Sequence, residues 1–306
     1  MKLPRLVRVF LKIVAVVVLV TIVSVGSVWI YFHPSFERTG GLVYGQRHGR
    51  DLTLDVVRPA KPNGIGVALM VSGGWKSSAG SFRPWMMAPL LRRGYTVFAV
   101  YHISQPEATV MEITEDVNRA VRYIRHNARQ YGVDPGRLGV TGGSAGGHLS
   151  LLLATRGGPG PTGTTDPIDG ESSAVQAVAI FYPVTDLLNL GKSTENLGDG
   201  GPPRSFLKAF GPNGTNLAVW TNVIGRGLSP IFYVNSNLPP TLIYHGDADT
   251  LVPLDQSERF QAEARKLGRT VELVVHHGGQ HGWLSMVWDI RQFANWFDKY
   301  LRQPAK

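Results

Sequence analysis

Cysteine is absent from this sequence of 306 residues. Its absence excludes disulfides, thiolate metal centres, a cysteine nucleophile and lipid attachment to an N-terminal cysteine, and it leaves the redox compartment unspecified. Acidic residues are also scarce: 22 Asp and Glu stand against 31 Lys and Arg, a formal net charge of +9. Yet no Lys/Arg-rich run accompanies that excess. Lys2, Arg5, Arg8 and Lys12 supply four of the positives ahead of a hydrophobic segment, and taking them away leaves +5, scattered over the remainder. Without a basic stripe to track a phosphate backbone, a nucleic-acid partner is not expected. Internal repeats are lacking as well, and no metal or organic cofactor is implied.

What is present is an ordinary apolar fraction, 43%, enough for a packed core without staples and compatible with one large domain or two small ones. Part of it is concentrated near the N-terminus. Residues 13–32, IVAVVVLVTIVSVGSVWIYF, carry no charge and reach the ~20 residues that span a bilayer core. Trp29, Tyr31 and Phe32 cluster at the far end, as in an interfacial aromatic belt, and the four basic residues precede the run. This predicts a membrane anchor over residues 1–33 with a cytoplasmic N-terminus and everything after Phe32 on the other side. The alternative is a cleaved signal peptide, whose apolar core is usually ~7–15 residues followed by a small-x-small site. Here the best such site, Ser24-Val25-Gly26, lies inside the run, which favours the uncleaved anchor. Either reading exports the remainder of the chain.

Beyond the anchor, residues 33–49 read as a polar connection. Short apolar strands are expected over 52–58, 67–71, 95–101, 137–140, 175–182, 241–245 and 271–275. Helical spacing marks 85–93, 114–131, the stretch from 149, 256–267 and 286–301. Strands alternating with helices predict an α/β fold, a mostly parallel sheet with helices on both faces, over residues 42–303. Residues 187–228 break the pattern with glycine, proline and asparagine. A stretch of that length is unusual for a connection and is expected to be a lid-like insertion.

Between the strand 137–140 and its helix lies Gly142-Gly143-Ser144-Ala145-Gly146. Gly-x-Ser-x-Gly is frequent by chance in a chain with 36 glycines. Its place between strand and helix gives it meaning, because a serine on that tight turn lifts its hydroxyl above the sheet edge. Side chains at Gly142 and Gly146 would collide with the neighbouring strand and helix. A serine hydroxyl is a weak nucleophile, so it needs a histidine to take its proton and a carboxylate to orient the imidazole. The expected chain order is Ser, acid, His, each past the C-terminal end of a strand.

Asp247 and Asp249 follow the strand 241–245; Asp249, further into the loop, is the expected acid, and Asp247 is read as a turn residue bonding its own backbone. Asp186 is a weaker candidate. Among the histidines after the last strand, His281 in Gly278-Gly279-Gln280-His281-Gly282-Trp283 can swing over the serine, whereas His276 and His277 stand at the strand end. His148, His102 and His245 are read as structural. For the oxyanion hole, the amide of Ala145 at the helix N-terminus is one donor. Gly73 and Gly74 in Ser72-Gly73-Gly74-Trp75 supply the other side, since glycine lets backbone approach a substrate closely.

In these pieces, and in Tyr182-Pro183-Val184-Thr185-Asp186-Leu187, Leu228-Ser229-Pro230-Ile231, Pro239-Pro240-Thr241-Leu242-Ile243 and His245-Gly246-Asp247-Ala248-Asp249 with Val252-Pro253, the chain resembles the α/β-hydrolase superfamily. Within it, the resemblance is to bacterial carbohydrate- and feruloyl-esterase-like, hormone-sensitive-lipase-like carboxylesterases. It implies Ser144, Asp249 and His281 as the triad of a carboxylic ester hydrolase acting on a small ester through an acyl-enzyme. Those relatives usually carry His-Gly-Gly-Gly-Trp in the oxyanion loop, where this chain has Ser72-Gly73-Gly74-Trp75 after Val71. Two other functions fit the same residues: a prolyl-oligopeptidase-like peptidase, for whose propeller the chain has no room, and a catalytically silent binding protein.

Overall fold

The computed structural model describes residues 4–302; Lys2 and position 303, the expected domain bound, lie outside them. An eight-stranded sheet in the order β1-β2-β4-β3-β5-β6-β7-β8 forms the centre. It is built from β1 (Phe36–Arg47), β2 (Arg50–Pro59), β3 (Gly66–Met70), β4 (Thr96–Val100), β5 (Leu138–Gly143), β6 (Ala177–Phe181), β7 (Thr241–Gly246) and β8 (Val271–His276). From β4 to β8 neighbouring strands pair in parallel, whereas β1 and β2 run antiparallel at one edge. The mostly parallel sheet is as expected.

Every residue of β4, β6 and β7 is buried, because helices cover both faces of these central strands. On one face α3 (Val110–Asn127), α4 (Ala145–Arg156) and α5 (Asp255–Lys266) contribute Val117, Val121, Leu149, Leu152 and Phe260 to one core. On the other, α2 (Ala88–Leu91) and α6 (Met286–Leu301) contribute Leu90, Phe293 and Phe297 to a second. Helix α3 starts at Val110, ahead of the apolar spacing, because Thr109 and Glu112 form a reciprocal capping box that satisfies the first free amides. It ends through a short 3₁₀ turn at Gly132, whose φ of +69° only glycine adopts freely.

Strand β1 corrects the sequence reading, which took residues 33–49 for a connection. Its side chains are almost all exposed and only Tyr44 is buried, so no alternation marks it. Two register shifts against β2, at Thr39/Leu42 and Val43/Gly45, further blur the period. Residues 187–228 are also more ordered than their composition suggests. A 3₁₀ turn at Arg204–Phe210 and a π turn at Trp220–Ile224 sink Phe210 and Trp220 completely into the core, their rings 4.9 Å apart.

Helix α1 (Arg5–Phe32) is long and apolar enough to cross a membrane by length and composition, and its apolar window is entirely unburied. Among the described residues, its ring contacts with the rest of the chain are made by its last turn. There Phe32 packs edge-on against Trp85 and Trp288, with ring centroids 5.9 and 4.9 Å away.

Candidate active site

The turn from β5 into α4 holds Ser144 at φ +54°, ψ −121°, a strained conformation that costs about 1–3 kcal/mol and persists only when its surroundings fix it. Two close approaches do so. A Cβ on Gly142 would lie 2.6 Å from the carbonyl carbon and oxygen of Gly146, and one on Gly146 would lie 2.4 Å from the Met70 carbonyl of β3. The two glycines therefore have the steric role that the motif predicts. The Ser144 amide is anchored to the Phe181 carbonyl at 3.1 Å, leaving the hydroxyl at the C-terminal edge of the sheet.

The structure brings Ser144, His281 and Asp249 into one chain of hydrogen bonds. His281 Nδ1 lies 2.7 Å from Asp249 Oδ2. A carboxylate only accepts, so Nδ1 carries the proton, and Nε2 is left to accept from the Ser144 hydroxyl at 2.9 Å. Burial of Asp249 disfavours its charge, but His245, His281 and the Val252 amide outweigh this and hold its carboxyl well below the usual carboxylate range. Its other oxygen accepts from the amides of Leu251 and Val252, both at 2.9 Å. His245, fully buried, donates from Nε2 to the Val252 carbonyl at 2.7 Å and stands 3.5 Å from Asp249 Oδ2. It thus braces the acid loop, consistent with a structural role.

The remaining candidates lie elsewhere. Asp186 pairs with Arg259 at 2.5 Å. Asp247 bonds the next loop, through His277 at 2.8 Å and the Gly278 amide at 2.7 Å, in addition to its own backbone. His276 stacks on Trp283 at 4.6 Å. His148 is buried and closes a three-way contact. Its Nδ1 accepts from the Trp75 indole at 3.1 Å, and its Nε2 donates to the Leu228 carbonyl at 2.6 Å. Burial pushes its pKa down to about 4, partly offset by the Leu228 bond.

The loop after β3 differs from the expected donor set. Gly73 and Lys76 exchange both backbone hydrogen bonds at 3.0 Å, and Gly74 and Trp75 between them have φ of +54° and +56°. Positive φ at both central positions defines a type I′ turn. The Gly73 amide is spent on closing it. Among the described residues the amides of Gly74 and Ala145 have no acceptor, which leaves these two of the three expected donors free. The turn is held from outside by the Trp75–His148 bond and by Gln105 Nε2 on the Gly74 carbonyl at 3.3 Å.

Further contacts in and beside the cavity carry no sequence signal. Ser72 and His102 form a second serine–histidine pair, with Nε2 2.9 Å from the hydroxyl and Nδ1 donating to the Ile103 carbonyl at 2.8 Å. Burial lowers the His102 pKa to about 4, with the Ile103 bond acting against it. Tyr182 lies with its ring 4.5 Å from that of His281, and its hydroxyl is pushed up to about 12 by burial and by the charge of Asp249. The cavity over Ser144 encloses about 410 Å³. Residues 187–228 supply one wall of it through Leu190, Ser193, Glu195, Pro203 and Phe206. Among the described residues no group of three or more His, Asp or Glu is placed to hold a metal ion.

A mostly parallel sheet bearing a serine on a strained strand-to-helix turn is the α/β-hydrolase fold. The model of the BD-FAE family matches residues 54–264, more than half of the sequence, and the chain belongs to that family. Esterase LipQ of Mycobacterium tuberculosis is 32% identical over 242 residues, 76% of this chain and 53% of LipQ; the chain spans about half the length of the curated relatives it matches. Among solved structures, a carbohydrate esterase from gut microbiota, 23% identical, aligns with a TM-score of 0.70 over 87% of this chain and 99% of its own; it shows the shared fold. Esterase Est2 of Thermogutta terrifontis with bound butyrate is 26% identical, with a TM-score of 0.63 over 87% and 93% of the two chains.

Proposed function

We propose that the protein is a serine hydrolase of carboxylic esters, with Ser144 as nucleophile, His281 as general base and acid, and Asp249 orienting the imidazole. The observation that carries this reading is the continuous hydrogen-bond chain from Asp249 Oδ2 through His281 to the Ser144 hydroxyl, 2.7 and 2.9 Å. As Ser144 Oγ attacks the ester carbonyl, His281 Nε2 takes its proton, and the ionised Asp249 stabilises the imidazolium. The amides of Gly74 and Ala145 receive the developing oxyanion, helped by the positive N-terminal end of α4. His281 then protonates the departing alcohol oxygen. Water, deprotonated by the same nitrogen, attacks the acyl-enzyme and releases the acid and the free serine. LipQ is named an esterase, and Est2 holds butyrate. A cavity of about 410 Å³ lies toward the small end of the ~300–1,000 Å³ typical of ligand sites, which supports a compact acyl or alcohol group.

In the same reading α1 anchors the protein in a membrane, with the four basic residues on the cytoplasmic side and the hydrolase on the other, and residues 187–228 act as a lid-like wall. Replacing Ser144 by Ala should abolish hydrolysis of p-nitrophenyl acetate with the fold intact. Activity retained in that variant would remove the mechanism. Unreactive Ser144 towards a fluorophosphonate probe would instead favour a silent binding protein, and cleavage of peptides in preference to esters would favour a peptidase.

A further inference from the structure

The last turn of α1 does not hang free. Arg92 donates Nε at 2.6 Å to the Tyr31 carbonyl, which the helix end leaves open, and a second nitrogen to the carbonyl of Ile30, which also accepts the capping His33 amide. Its guanidinium also covers the Tyr31 ring at 5.1 Å. Trp288 stacks on Tyr31 at 5.8 Å and meets Phe32, which also meets Trp85. Only His33, Pro34 and Ser35 separate α1 from β1, a connection of at most ~14 Å. The domain is therefore held directly at the helix end.

The two tryptophans follow the loops that carry the proposed chemistry. Trp85 comes after the Ser72–Trp75 loop, and Trp288 lies in the first turn of α6, seven residues after His281. Both are partly exposed, Trp85 at 39% and Trp288 at 40%, and Leu284, four residues before Trp288, is fully exposed at 101%. Exposed Arg83 and Arg92 flank the patch. Tyr31 and Phe32 occupy the belt at which a span leaves hydrocarbon for headgroups. Rings that touch them stand at the same depth, where aromatic bodies and arginines are both accommodated.

We propose that the surface formed by Trp85, Leu284 and Trp288 rests on the lipid bilayer that α1 crosses, with Leu284, three residues after His281, inserted among the headgroups. This rests on the reading of α1 as an anchor. The occupant is a lipid surface rather than a protein because the patch is continuous with the spanning helix and is bordered by arginines suited to lipid phosphates.

The lack of native cysteine permits a clean test on the full chain reconstituted in phosphatidylcholine–phosphatidylglycerol vesicles. Single cysteines labelled with a polarity-sensitive fluorophore would be placed at Leu284→Cys, at Val23→Cys within α1, and at Leu267→Cys, an exposed leucine just past the C-terminal end of α5. The expected result is blue-shifted emission at 284 that brominated lipids quench, strong quenching at 23 and none at 267. A probe at 284 that stays in water while the probe at 23 is quenched overturns the surface and leaves the anchor standing. Equal quenching at 284 and 267 means unspecific adsorption and also overturns it. No quenching at 23 removes the anchor reading itself, and this proposal with it. Leu284 packs against nothing, so its replacement leaves the fold unstressed.

Discussion

Two serine–histidine pairs stand at the same edge of the sheet with the same 2.9 Å contact, Ser144 with His281 and Ser72 with His102. What separates them is the group behind each ring. His281 donates to a carboxylate held in its charged form, so a proton taken by the ring is stabilised where it arrives. His102 donates to the neutral carbonyl of Ile103 and is buried, which pushes its pKa down to about 4 and keeps the ring uncharged. The backbones differ too: Ser144 is lifted on a strained turn at the start of a helix, whereas Ser72 lies two residues past the end of β3 and its carbonyl accepts the Gly146 amide at 3.1 Å. A serine beside a histidine is thus not in itself a nucleophile. The ionised third partner and the helix end make the difference in the proposed mechanism.

Breaking the first pair should have the largest effect. Ser144→Ala is expected to lower kcat by more than about 10⁴-fold, with fluorophosphonate labelling lost although Ser72 is untouched. Labelling retained through Ser72 would erase the distinction. Asp249→Asn keeps the geometry but presents the wrong partner to Nδ1, and ester turnover should fall by about 10³–10⁴-fold in steady-state assays.

The buried neutral histidines make a pH prediction. His102 and His148 have folded pKa values of about 4, below the ~6.5 of an unfolded histidine. Below ~6.5 the unfolded chain therefore binds protons that the folded chain does not, and stability falls as pH drops from ~6.5 towards 4, by at most roughly 1.4 kcal/mol per unit and histidine. Thermal unfolding between pH 7 and 5 checks this, and His148→Gln should make the decline shallower; an unchanged slope would refute the assignment. The smallest effect belongs to Ser72→Ala. Loss of one hydrogen bond costs about 1 kcal/mol, and hydrolysis should change by less than about tenfold, a limit of about 1.4 kcal/mol in the barrier.

Legibility in the sequence followed how local each constraint is. The elbow could be read because its glycines respond to contacts made within the turn and one strand away, and chain order then singled out Asp249 and His281. Strand β1 could not, since an exposed edge strand with bulges has no apolar period. Nor could the Gly73 amide be excluded as a donor: two glycines in a row do not say which N–H closes the turn. Tyr182, Glu195 and Phe206 enter the cavity from loops whose positions are set by distant packing, such as that of Trp220. The Ser72–His102 pair joins the ends of β3 and β4, neighbours in the sheet but thirty residues apart in sequence. In place of the first glycine of the relatives' oxyanion loop, this chain has a serine tied to an adjacent strand.

The self-closed turn at Gly73–Lys76 has a consequence for turnover. Its two backbone bonds and the Trp75–His148 bond are made within the protein itself, so in the proposed mechanism the fold rather than the ester positions the Gly74 amide. If Gly74 is an oxyanion donor, as proposed, the cost of ordering it, including the strain at Trp75, is met once during folding. On the proposed mechanism, a loop that rearranged around every tetrahedral intermediate would return part of its stabilisation as reorganisation energy, which the internal bonds of this turn reduce.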